Sequence, residues 1–412
     1  MTHRALHILS HAALAAALAA CGPDDGTATA SASTPAWRRV ADTVFSESTA
    51  AAVTLDSAWL DSSGPHFQLL ALPDSVRDYE MTEPTSVAVK GDGSCLLAVT
   101  DQYETAVHFF SSPTRYEGSR SLGGNRRNSL RNIGNAVIGP QGITYLNEMG
   151  RRRLVSLDRA RDSFRVFQSA AITAEMPRIV DLEPVSANRL IENWMAPSLP
   201  MASLDWAREE LPLLRIIDSL GSYMGGLWRI AERPGHLLTH SLNQGFLARQ
   251  GDTLSFAYMV SGQVLRGVLD TSSVPWVVKD TSRIVLPRMY DPMPPEWYRR
   301  TEADTGSVTV DYQVSGFAVT GNGHMIVGQT ISYPPRGTPG TIHQPVSAVV
   351  IYDRSGRAIR GWRVGGRVRG LAAGNGILAV NVDQGKGRKV RIYRLSDVMP
   401  GGGASGECSE GN

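Results

Sequence analysis

Short apolar runs recur along this chain in pairs, each pair split by a polar turn. Ser86-Val-Ala-Val-Lys-Gly-Asp-Gly-Ser-Cys-Leu-Leu-Ala-Val-Thr100 sets the phrase: two runs flank Gly91-Asp-Gly93, residues that accept the positive φ of a tight hairpin. Asn135-Ala-Val-Ile-Gly-Pro-Gln-Gly-Ile-Thr-Tyr-Leu146 repeats it, as do the segments 245–257, 316–327 and 370–380. A weaker copy runs through 178–194, with Ser186-Ala-Asn188 as its turn. Polar turns then lead to third strands at 101–110, 147–158 and 383–393, and 166–168 and 276–286 read as fourth members. The pattern predicts an all-β protein: a six-bladed β-propeller with three- to four-stranded antiparallel blades, in one domain over 37–398. Segment 67–72 looks like an outer strand that completes the last blade. A β-sandwich or a solenoid shares this hairpin spacing and is the alternative.

The N-terminus follows a different pattern. His3 and Arg4 precede an apolar stretch over 12–20 that is too short to span a bilayer as a helix and matches a secretory signal peptide. Leu18-Ala19-Ala20-Cys21 resembles the bacterial lipobox, in which small residues precede a cysteine that is lipidated after cleavage. That resemblance implies a signal peptide over 1–20, a lipid on Cys21 and a membrane partner. Gly22 stands where an Asp would favour inner-membrane retention, so it further implies an outer-membrane destination in the cell envelope. The small polar residues of 21–36 read as a flexible tether, and 399–412, rich in Gly and Ser, as a disordered tail.

Composition changes the picture little. At 42% hydrophobic and 19% charged residues the body is that of an ordinary globular protein, with no second membrane-length apolar stretch. Beyond Cys21 only Cys95 and Cys408 occur, too few for a disulfide framework. A formal charge of +2 gives no reason to expect a nucleic-acid partner.

Residues 99–109, 146–158 and 380–392 each place a polar turn before a strand, and in this they are similar to the NHL-repeat pattern of six-bladed, TolB-like propeller lipoproteins. That likeness implies a fold and no particular reaction. In such a ring, the loops between blades share a face with the turns between second and third strands. Glu83, Arg131, Arg178, Gln244, Gln313 and Arg367 are expected at this mouth, with the turns at Asp101, Asn147, Asn193, Ser261 and Asp383. Insertions over 195–211, 289–311 and 331–345 fall on the same side, where Trp194, Trp206, Tyr290, Trp297, Tyr298 and Tyr333 supply aromatic surface. The expected function is non-catalytic: an envelope binding or scaffold module recognising a small molecule, glycan or protein on that face. Arg126, Arg127 and Arg131, and then Arg151, Arg152 and Arg153, fall near adjacent blade edges, where they read as a solvated rim or, alternatively, as a surface that attracts an anionic sugar, phosphate or lipid head group.

No cofactor is expected. His236 and His240 read as a strand, which would separate their rings by roughly 13 Å, too far for one zinc ion. The alternative comes from the propeller likeness: six-bladed relatives include calcium-dependent lactonases and zinc-dependent lyases with ligands in the central channel. It implies a Ca or Zn hydrolase, lactonase or lyase, with Glu83, Asp181, Glu183 and Asp311 as the carboxylates within reach.

Overall fold

The computed structural model describes residues 68–400, apart from 71–74, 76, 91–95, 124–128, 149–152, 162, 168–177, 187, 196–211, 219–221, 231–242, 273, 287–313, 332–345 and 385–386. Within these bounds the strands form six blades of four antiparallel strands; in five blades the four strands are consecutive in the chain, whereas the sixth takes its outermost strand from before the first blade, and the fifth carries one additional parallel strand. The inner strands are Pro84–Val89, Ile133–Ile138, Arg178–Ser186, Gly245–Gln250, Val314–Val319 and Arg367–Gly374, and they open blades one to six. Each inner strand contacts the next, and the sixth contacts the first, so the ring is closed. The protein is a six-bladed β-propeller. No helix among the described residues is long and apolar enough to cross a membrane.

The expected hairpins are the first two strands of the blades. In blade six, Asn375 and Gly376 both adopt positive φ (49° and 79°) between Gly374 and Ile377, the two-residue turn whose twist matches its flanking strands. The expected fourth strands at 166–168 and 276–286 are Ser163–Phe167 and Val277–Val285.

One strand is placed differently. The ring is closed by Arg77–Met81, which pairs antiparallel with Arg388–Arg394 as the outermost strand of blade six. Gln68–Leu69, within the segment expected to do this, instead pairs in parallel with the outer strand of blade five, Ala358–Val364. Arg77–Met81 is mostly exposed and carries only Tyr79 and Met81 as apolar residues, so it lacks the apolar run that marks an interior strand.

The apolar core consists of six separate clusters, one in each gap between neighbouring blades. Strand alternation produces this: Leu97 packs between blades six and one while Ala98 packs between one and two, and Val350 and Val349 divide in the same way on either side of blade five. The interior volume goes to residues such as Trp362, Tyr352 and Tyr393, all at most 1% exposed.

Polar staples reinforce the gaps. A residue near the end of a second strand reaches the backbone entering the next blade: Thr100 donates to Gly134 O (3.1 Å), Asn147 to Ile179 O (2.9 Å), and Asn381 to Pro84 O (2.8 Å). Asn193 does most, donating to Leu213 O and Asn243 O while its Oδ1 accepts Gly245 N–H at 3.0 Å. Gly245 must be glycine, since a Cβ there would lie 2.3 Å from Ala257 O.

Two outcomes follow for stability. Asn193→Ala removes the acceptor of the buried Gly245 N–H and two bonds across the gap, and is expected to cost about 1–3 kcal/mol in urea unfolding. A chain that begins at residue 83 loses the closing strand, and should melt at lower temperature and bind a hydrophobic dye where Val390 and Ile392 lose their cover.

Candidate functional site

The two ends of the ring differ. Where inner strands begin and second strands end, the residues expected at a mouth are present, and most are engaged with one another. Glu83 Oε1 accepts from Arg388 Nη1 at 2.8 Å, and its N–H donates to Asp101 Oδ2 at 2.9 Å. Asp101, fully buried, also accepts the N–H of Glu104. Asp383 pairs with Arg369 (3.0 Å) and Arg388 (3.5 Å), so Arg388 joins Glu83 to Asp383 across the junction of blades one and six. Arg367 lies opposite Asp383 in the ladder. Asn147 and Asn193 are the staples described above. Gln244 is buried and accepts Met259 N–H through its backbone carbonyl.

Arg131 is exposed, its N–H donating to Glu148 Oε1. Trp194 donates its indole N–H to Pro212 O at 3.1 Å, with the Arg215 guanidinium 5.5 Å from its ring. Arg178 opens the inner strand of blade three opposite Met195, and its side chain lies outside the described residues. So do Cys21, Trp297 and Tyr298, and also Trp206, Tyr290, Asp311, Gln313, Tyr333, Arg126, Arg127, Arg151, Arg152, His236 and His240.

The cavity lies along the axis toward the other end. It holds about 660 Å³, inside the roughly 300–1,000 Å³ range of small-molecule sites, and every inner strand contributes to its wall. It reaches the hairpin turns, where Gln141, Gly251, Asn322 and Asn375 line it. Among the described residues, none of the expected ligand-face positions Glu83, Asp101, Arg131, Asn147, Asn193, Trp194, Gln244, Arg367 and Asp383 is part of its lining.

Three consecutive inner strands concentrate polar groups in that wall: Asn135 in blade two, Asp181 and Glu183 in blade three, Arg249 in blade four. Asp181 and Glu183 are two apart on one strand and so share a face. Asp181 Oδ2 accepts Leu247 N–H at 2.7 Å and Oδ1 accepts Asn135 Nδ2 at 3.3 Å, which ties blade three to both neighbours. Asn135 also donates to Val180 O. Glu183 retains more freedom. Its carboxyl is 18% exposed and 3.8 Å from Arg249 Nε, while the Arg249 Nη atoms donate to Gly251 O (2.8 Å), Pro184 O (3.3 Å) and Val185 O (3.4 Å).

Burial governs the charge of this group. It raises Glu183 to about 8, against the pull of Arg249 and with a further push from Asp181. It also raises Asp181 to about 7, against the backbone N–H groups of Leu247 and Leu182 and the Asn135 amide. At neutral pH the set therefore retains a proton and presents Glu183 to the cavity as a hydrogen-bond donor. A third buried carboxyl, Glu192, is raised to about 7 by burial, opposed by Arg215 at 3.1 Å, but it does not line the cavity.

Of the carboxylates considered for a metal, Asp181 and Glu183 reach the channel and Glu83 does not. Among the described residues, the three potential ligands that converge are Asp101, Glu104 and His108, whose atoms lie within 4.8 Å of one another at the edge of blade one. That set is knit internally: Glu104 Oε2 faces His108 Nε2 at 3.2 Å, and Asp101 caps two backbone N–H groups.

Sequence reasoning named Asp181 and Glu183 only as carboxylates of the alternative and passed over Asn135 and Arg249. The available signal was a charged or amide residue interrupting an otherwise apolar inner strand at matching positions of three successive units.

The sequence matches no family model, and no curated protein matches it. Among solved structures it is similar to a gluconolactonase from Xanthomonas campestris (13% identity, 76% of this chain and 87% of that one, TM-score 0.45). It is also similar to a DUF4221-family member from Bacteroides vulgatus (10%, 79% and 98%, TM-score 0.47) and to virginiamycin B lyase from Staphylococcus aureus (9%, 77% and 98%, TM-score 0.42). At such identities the likeness concerns fold alone and says nothing about the chemistry of the cavity.

The raised carboxyls set a pH dependence. Asp181, Glu183 and Glu192 bind protons more tightly folded than unfolded, so their contribution is fully present below about pH 4, near their ordinary values, and is lost as pH rises through 7–8. The melting temperature should accordingly be higher at pH 5.5 than at pH 8.5, and Glu183→Gln should flatten the upper part of that decline.

Proposed function

We propose that this protein is a lipid-anchored module of the bacterial cell envelope that binds a small polar ligand in its axial cavity. The observation that carries the binding reading is the Asn135, Asp181, Glu183, Arg249 set: polar groups gathered on three neighbouring strands in the wall of a cavity of ligand size, among them a carboxyl whose proton affinity burial raises. A neutral acid beside a guanidinium offers donors of two kinds, which suits hydroxyl and carbonyl oxygens such as those of a sugar. The anchor reading draws on Leu18-Ala19-Ala20-Cys21 and the apolar stretch before it, and envelope placement at the outer membrane on Gly22 following the cysteine. A cavity fixed by six rigid strands is pre-formed, so little ordering entropy opposes binding.

A second reading, a hydrolase or lyase using acid–base catalysis, is favoured by the placement of two carboxyls side by side in the cavity wall, where burial raises both toward neutral pH and so toward the range in which a group can give and accept a proton. A ligand screen by thermal shift separates the two. Binding predicts a melting-temperature rise with an unchanged ligand, reduced in Glu183→Gln, whereas catalysis predicts product formation by the wild type and none by that variant. For the anchor, Cys21→Ser should abolish metabolic labelling with a fatty acid and move the protein from the membrane to the soluble fraction. Labelling that persists in that variant would sink the anchor reading.

A further inference from the structure

Arg266 lies in the third strand of blade four, Gln263–Asp270, and Arg354 in the turn after the third strand of blade five, Val346–Tyr352. They meet at Gly323, in the first hairpin of blade five. A Cβ on that glycine would lie 2.8 Å from Arg354 Nε and 3.1 Å from Arg266 Nη2, so the two guanidiniums flank a gap that any side chain would fill. The φ of Gly323, +80°, is also one that glycine adopts freely. Arg354 is held in place, its Nε donating to Asn322 O at 2.7 Å.

Among the described residues no carboxylate ion-pairs with either arginine. Asp353, beside Arg354 in the chain, is engaged by Arg357 at 3.1 Å and by Ser355. Next to the arginines, His324 Nδ1 is buried with no hydrogen-bond partner. The two guanidiniums lie close together at Gly323 with no carboxylate among the described residues paired to either, and the unused ring nitrogen of His324 lies within electrostatic reach of Asp353 as well as Arg354. Burial and the charge of Arg354 both lower the proton affinity of Arg266, the direction expected of an uncompensated pair. Like charges this close repel one another, and an anion seated between them relieves that repulsion.

We propose that Arg266, Arg354 and His324 form a phosphate-binding subsite at the rim of the axial cavity. Three donors on separate elements suit a tetrahedral oxyanion better than a planar carboxylate, and guanidinium forks match phosphate oxygens in pairs. Asn322, whose carbonyl anchors Arg354, also lines the cavity, so a ligand with its phosphate here would extend its polar body toward Glu183. This last step rests on the cavity reading above and makes the ligand a small phosphorylated molecule of the sugar-phosphate class.

The test is titration calorimetry of the purified protein with inorganic phosphate, acetate, glucose and glucose 6-phosphate at matched ionic strength. Wild type should bind phosphate and not acetate, and Arg266→Gln and Arg354→Gln should each weaken phosphate binding about tenfold. Arg266→Gln should melt, without phosphate, no lower than wild type, because repulsion has been removed. Arg354→Lys, which keeps the charge and loses the fork, serves if Arg354→Gln does not fold, and should also bind more weakly. No phosphate binding by wild type, equal binding by the variants, or acetate binding as well as phosphate overturns the subsite. Glucose 6-phosphate binding more tightly than phosphate, with the gain lost in Glu183→Gln, supports the joined ligand. If it binds no better than phosphate while the arginine dependence holds, the cavity reading fails and the rim subsite stands.

Discussion

A four-stranded sheet with two apolar faces has no stable existence alone, and this constraint organises the whole molecule. Every blade must be covered on both sides, which only a closed ring achieves without leaving two end faces in water. The six clusters between blades are thus parts of one obligation: Leu97 and Ala98, adjacent in the chain, serve opposite gaps, and neither is covered unless the neighbouring blade is present. Burying a Val, Leu or Ile side chain contributes about 1.5–3 kcal/mol, and the gaps hold many of them.

Closure imposes a second demand at the axis. Each inner strand presents one backbone edge that no further strand can pair, and the side chains of Ser86, Thr100, Asn147, Asn193 and Asn381 take up part of that need by reaching into the next blade. Asp181 does the same while buried, and the cost of placing a carboxyl there emerges as its raised proton affinity. The chemistry of the cavity is therefore continuous with the means by which the ring is held. Arg249 serves both ends, its Nη atoms donating to backbone carbonyls while its Nε faces Glu183, and the Glu183 carboxyl at the cavity wall is the group left available to a ligand.

The hairpins were legible in the sequence because turn chemistry is local. Gly-Asp, Asn-Gly and Gln-Gly between apolar runs specify positive φ and period-two burial within a dozen residues, with no knowledge of what packs against them. The closing strand was not legible. Arg77–Met81 is edge strand with an exposed face, so its residues carry no apolar signature, whereas the more apolar 67–72 attracted the assignment and proved to contain a short parallel strand on blade five. Candidate mouth residues were chosen by their position near strand ends, yet a polar residue at a loop reads the same whether it meets solvent, an arginine or a backbone carbonyl. Asn147 and Asn193 were chosen for polarity and position, and their amides turn out to be spent on the adjoining blade.

What the sequence determined by itself was the all-β class, the number of repeats and the hairpin inside each, together with the N-terminal pattern that sets it apart from the body. These depend on residue type and near-neighbour spacing. What only the tertiary structure decided was which strand closes the circle, which end holds the cavity, and the meeting of Glu183 with Arg249 and of Arg266 with Arg354. Each of these joins residues on different blades, whose separation along the chain carries no local imprint. Their charges and proton affinities arise from burial that exists only once the ring has formed.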